Sequence, residues 1–188
     1  LRSNTTVALN PEQVHAIGLA EVARIEGEMK LILSRLGYDD VENAPRKLQE
    51  FAKEERFLYP NTTEGRVQAL ADYQRILDDI NARLDPLFAV RPKAALKVER
   101  VPEFREKTSA GAYYHPADLG GGRPGVFYAN LRDMNEVSKF GMKTLAYHEG
   151  IPGHHFQIAI ATELRGVPFF RRLVPFTAYA EGWALYAE

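Results

Sequence analysis

Cysteine is missing altogether from these 188 residues. That excludes disulfide bonds and thiolate zinc sites, and it leaves the cellular compartment open. An excess of one charge is missing too. Lysine and arginine number 24 against 25 aspartates and glutamates, for a net charge of −1, so neither nucleic acid nor an anionic membrane is indicated as a partner. No apolar run approaches the length of a membrane span, and Leu1-Arg2-Ser3-Asn4 does not open a signal peptide. Periplasmic, secreted and cytoplasmic placements all stay open, as does the oligomeric state. The glycine run Gly120-Gly121-Gly122 lacks the Gly-Lys-Ser/Thr ending of a phosphate loop and opens no helix. A first residue other than methionine suggests a processed or excised chain. Glu188 falls inside a stretch that reads as a continuing helix, so part of a cleft wall is expected beyond it.

Apolar residues make up 45% of the chain and charged residues 26%, ordinary values for a globular protein able to bury a core in one or two domains. The N-terminal part reads as successive helices. Asn10 can cap, Pro11 suits a first turn and Gln13 can reach back. Val22, Ile25, Met29, Ile32 and Leu36 then recur at helical spacing, and Gly37 is a natural stop. A shorter helix is expected from Arg46 to about Leu58. Thr63 is placed to cap a third, carrying Val67, Leu70, Leu77, Ile80 and Leu84 and ending before Pro86. These stripes are expected to be packing faces.

From Val90 to Leu131 the texture changes. Prolines and glycines become denser, and residues 96–101 alternate at strand period. Residues 110–114 and 125–130 read as further short strands, separated by a loop from His115 to Pro124. Helical reading resumes over 135–149 and 153–165, with Gly166 as a stop, and a last helix starts near Pro175 or Thr177 and covers 176–188. The expectation is therefore a mainly α (α+β) fold. Its N-terminal helical region would span 1–89 and a catalytic region 90–188, or the two form one continuous domain.

The chemistry concentrates in His148-Glu149-Gly150-Ile151-Pro152-Gly153-His154-His155, which holds three of the chain's five histidines. Imidazole is a standard zinc ligand, and a carboxylate beside a metal-bound water is a standard general base. Histidines four apart on a helix are separated by about 6 Å of rise and about 40° of rotation and reach one ion. Here the fourth residue after His148 is Pro152. In a straight helix His154 or His155 would sit about 9 to 10 Å along the axis, too far for joint ligation. Pro152 lacks an amide hydrogen, and Gly150 and Gly153 accept unusual backbone geometry. A helix ending near Glu149, a tight bulge and a second helix from Gly153 would bring His154 back beside His148. The flanks Phe140, Met142, Leu145 and Ala146, then Phe156, Ile158, Ile160 and Ala161, are apolar. Ionisable groups between such helices are costly unless paired or metal-bound. Downstream, Glu181 sits amid Ala, Gly and Trp and offers a third ligand.

The octet with Phe156-Gln157, the upstream run 123–131 and Tyr179-Ala180-Glu181-Gly182-Trp183 together resemble the bacterial domain-of-unknown-function 885 family. That family is similar to zincin metallopeptidases of the gluzincin type, and its members are longer than this chain. The resemblance implies a helical zincin-like fold, with a small antiparallel sheet beside a kinked active-site helix. It implies His148 and His154 as zinc ligands, Glu149 as base and Glu181 as third ligand. His155 stands as an alternative ligand or a residue behind the ligands. Val126, Phe127, Tyr128, Ala129 and Asn130 are the expected substrate-lining strand.

The expected activity is zinc-dependent hydrolysis of a peptide or small amide, with water activated by the metal and Glu149 as base. Tyr128 and His115, with Tyr113 and Tyr114, are candidates to steady the oxyanion. Two rivals stand beside this: a metal-dependent amidase or esterase acting on a non-peptide, and a non-catalytic helical module or incomplete fragment.

Overall fold

In the computed structural model, residues 2–39, 41–119, 122–173 and 176–188 are described, and Asn10 begins a long helix as its chemistry requires. Its side chain accepts from the Gln13 amide at 2.8 Å, and the Gln13 side chain accepts from the Asn10 amide at 3.0 Å. Two otherwise unpaired amides are thereby satisfied. After a single turn, α1 (Arg2–Thr5), this helix, α2, runs Pro11–Arg35. Gly37 ends it at φ +86°, and the Tyr38 amide reaches back to the Leu33 carbonyl at 3.1 Å. α3 (Ala44–Ala52) starts on Asn43, whose side chain accepts from Arg46 N, two residues before the expected start. Tyr38 meets Phe51 edge-on at 5.0 Å. The expected packing stripe of α2 is not realised: Val22, Ile25, Ile32 and Leu36 are exposed, Leu36 at 67%, and Leu33 is the residue buried. Within this unit α3 is the partner helix, and it meets α2 near its C-terminal end.

Compact packing divides the chain into Leu1–Arg56 and Phe57–Glu188. The boundary differs from the expected 89/90 because the next helix belongs to the sheet's core. That helix, α4 (Thr63–Asn81), is capped by Thr62 rather than Thr63 and stops before Leu84. It buries Ala69, Tyr73 and Leu77, and Tyr73 packs edge-on against Phe127 at 5.0 Å. A fully buried side chain of the size of Leu77 or Phe127 contributes about 1.5–3 kcal/mol.

The strands are β1 (Leu96–Arg100), β2 (Ala112–His115) and β3 (Gly125–Ala129), in the order β1-β3-β2. β2 and β3 form the expected antiparallel pair, but β1 runs parallel to β3. The sheet is therefore mixed, not antiparallel. β3 is central, with Phe127 fully buried. Gly120 and Gly121 of the loop before it lie outside the described residues.

A single helix over 135–149 is replaced by two 3-10 turns, Met134–Glu136 and Lys139–Gly141, before α5 (Met142–Glu149). The Asp133 and Ser138 side chains each accept a nearby amide, from Asn135 and Phe140, a local alternative to helical bonding. Then come α6 (His154–Glu163), α7 (Phe170–Leu173) and α8 (Thr177–Ala187). Of the two expected starts for the last helix, Thr177 is observed and Pro175 lies outside the described residues. No helix among the described residues is long and apolar enough to cross a membrane.

Candidate metal centre

His148 and Glu149 form the last turn of α5, which ends there as the glycines and Pro152 demand. The chain then folds back sharply. A Cβ on Gly153 would land on the carbonyl oxygens of Tyr147 and His148, so only glycine permits this approach. The Ile151–Pro152 peptide is cis. α6 begins at once with His154, and its ring lies 4.7 Å, centroid to centroid, from that of His148. The bulge thus turns a six-residue separation into side-by-side rings.

α8 is tied to this bulge. The Trp183 indole donates to the Pro152 carbonyl at 2.8 Å, and the Gln157 amide on α6 donates to the Tyr179 carbonyl at 3.2 Å. Glu181 Oε2 is then 3.7 Å from His148 Nε2 and 3.7 Å from His154 Nε2. Donor atoms of His148, His154 and Glu181 all lie within 4.8 Å of one another. Tetrahedral donors at zinc distances of about 2.1 Å are separated by about 3.4 Å, close to the 3.7 Å between Glu181 Oε2 and each histidine Nε2. The histidines are nearly buried while Glu181 is 55% exposed, which opens the cluster to solvent on one side.

Glu149 is buried, near the Tyr114 backbone on β2. Burial raises its pKa above the ordinary value; His148 and the Tyr114 amide oppose this, and Glu181 adds to it. Burial also lowers the pKa of His154, with Glu181 pulling the other way. A neutral imidazole is the form a metal requires.

His155 is not in the cluster. It is 1% exposed, its Nδ1 lies 3.0 Å from the Tyr114 hydroxyl, and the ring bonds the Ala94 backbone. Burial drives its pKa down to about 4 and that of Tyr114 up to about 12. Gly125 makes room for the pair: a Cβ there would sit 2.5 Å from the Tyr114 hydroxyl and 2.8 Å from His155 Nδ1. His155 therefore fastens α6 to the sheet.

The expected oxyanion groups are elsewhere engaged. Tyr128 stacks on Tyr113 at 5.1 Å, and His115 Nδ1 lies 3.1 Å from the Pro116 carbonyl. Neither is hydrogen-bonded or ion-paired to the three-residue cluster among the described residues. The substrate strand also needs correcting. Val126 to Ala129 belong to the central strand and are paired on both sides, so that backbone, with Asn130 just beyond it, has no edge to offer. Among the described residues the sheet's edges are β1 and β2, and β2 is the one beside Glu149. One residue not anticipated joins the cluster: Glu188 Oε1 is 2.8 Å from His148 Nδ1. Its spacing of seven from Glu181, two helical turns, was the available signal.

The model for the family of bacterial proteins of unknown function, DUF885, matches residues 1–188. The chain belongs to the DUF885 family. Among curated proteins none matches it. A solved structure described as "the putative lipoprotein from Colwellia psychrerythraea" is 40% identical, with a TM-score of 0.94. The alignment covers 99% of this DUF885 chain and 32% of that protein, so the chain spans about a third of its length.

Proposed function

We propose that this DUF885 chain carries the site of a zinc-dependent hydrolase, a metallopeptidase. One observation carries the reading: two histidines and a carboxylate, drawn from α5, α6 and α8, direct donor atoms to within 4.8 Å of one another beside a buried glutamate. A zinc ion held there would acidify a coordinated water and polarise a carbonyl. Glu149 takes the water's proton as the new C–O bond forms and passes it to the leaving nitrogen as the C–N bond breaks. Its raised pKa suits that exchange. The unpaired edge of β2 supplies backbone groups that an extended chain can bond, which favours a peptide over a compact amide or ester.

The test is metal content by plasma mass spectrometry, paired with cleavage of a peptide mixture. Stoichiometric zinc that is absent from His148→Ala and Glu181→Ala, with peptide cleavage lost in Glu149→Gln, supports the proposal. No zinc bound after zinc is supplied would overturn it. Zinc-dependent hydrolysis of esters alone would replace the peptidase with an esterase.

A further inference from the structure

We infer that Glu188 is the positioning residue that aims His148 at the metal. Glu188 Oε1 lies 2.8 Å from His148 Nδ1, while Nε2 of the same ring faces Glu181 Oε2 at 3.7 Å. An ionised carboxylate only accepts, so the nitrogen it meets carries the hydrogen. In the neutral ring Nε2 is then left with its lone pair pointing at the cluster, the tautomer a ligand needs. Both acids belong to one stretch of chain, Glu181 within α8 and Glu188 directly after its last residue, Ala187. Seven residues amount to about two turns, so both lie on one face, and they address opposite nitrogens of one imidazole.

The second histidine is treated differently. His154 Nδ1 is buried and has no hydrogen-bond partner among the described residues. Orientation by a carboxylate is therefore concentrated on His148, and with it the sensitivity of the site to residue 188. The pair is partly shielded from solvent, with the His148 side chain 19% exposed and that of Glu188 28%.

The role of Glu188 rests on the metal reading proposed above, and one titration separates the two. Zinc dissociation constants are measured by competition with a chromophoric chelator for wild type, Glu188→Gln and Glu188→Ala, beside melting curves of the metal-free forms. Loss of an orienting partner typically weakens metal binding 10–100-fold, so the alanine variant is expected in that range, still binding one ion at saturation. Glutamine keeps an acceptor but not the charge and is expected between alanine and wild type. Wild-type affinity in both variants overturns the inference and leaves the metal site standing. Lower melting temperature with unchanged zinc affinity overturns it too, by making Glu188 a packing residue. If alanine prevents folding, wild-type affinity in the isosteric glutamine variant is decisive against it. Absence of zinc binding in the wild type overturns the metal reading itself.

Discussion

Glu149 and His155 are buried within a few residues of each other, and burial moves their protonation in opposite directions. The Glu149 carboxyl has its pKa raised above 4.5 by burial, so above that pH the folded state holds more protons than the unfolded one. Stability from this group therefore falls as pH rises through the folded pKa. Glu149→Gln removes that slope. The metal-free variant is expected to gain stability over wild type at pH 8 and none at pH 4, while hydrolysis falls by about 100-fold or more. Melting curves at the two pH values and the peptide assay check both halves. His155 titrates from 6.5 in the unfolded chain to about 4 when folded. Between those values the unfolded state binds more protons, so stability drops as pH falls from 6.5 towards 4 and then levels off. The full window is worth about 3 kcal/mol. In His155→Gln this part of the acid limb should flatten, read by urea unfolding at pH 7, 5.5 and 4. An unchanged limb would mean the imidazole is not buried against Tyr114 and Ala94.

Among the elements, the turn between α5 and α6 carries the site. Gly153→Ala places a methyl group against the Tyr147 and His148 carbonyls, and backbone cannot yield as a side-chain end does. A loss of about 1–3 kcal/mol is expected, together with loss of zinc, because relieving the clash swings His154 away from His148. Zinc content and melting temperature of the alanine variant measure this. Gly141→Ala, which meets nothing within 4 Å, is the matched control and should keep its metal. The same turn shows how far sequence reasoning reaches. Its parts are local: Pro152 cannot continue a helix, glycine permits the fold-back, and the return of His154 follows from those constraints. The cap on α2 is local in the same way, since Asn10 and Gln13 are three residues apart. The sheet is not local. Strand residues could be recognised from their alternation, but whether β1 lies parallel to β3, and which strand takes the centre, depends on packing against α4 and α5. The strand expected to line substrate is accordingly the central one, paired on both sides. The exposed stripe of α2 failed for a related reason: periodicity marks an apolar face without saying what covers it.

At the scale of the molecule, every donor proposed for the metal lies in the unit Phe57–Glu188. Three helices supply them, and no two of the ligands sit on the same helix. The unfolded chain holds no such constellation, so zinc held at the proposed site would bind the folded unit alone and stabilise it by mass action. At a free zinc concentration 100-fold above the dissociation constant the gain is about 2.7 kcal/mol. Calorimetry with and without a chelator should show that gain in the unfolding of Phe57–Glu188. The transition of Leu1–Arg56, which contains none of the donors, should not move. A protein lacking residues 1–56 is accordingly expected to bind zinc with the stoichiometry of the whole chain and to show the same chelator-dependent shift. Zinc binding that vanishes with the N-terminal unit would mean that this unit holds α5, α6 or α8 in place, and the site would then have to be reassigned from one unit to the whole chain.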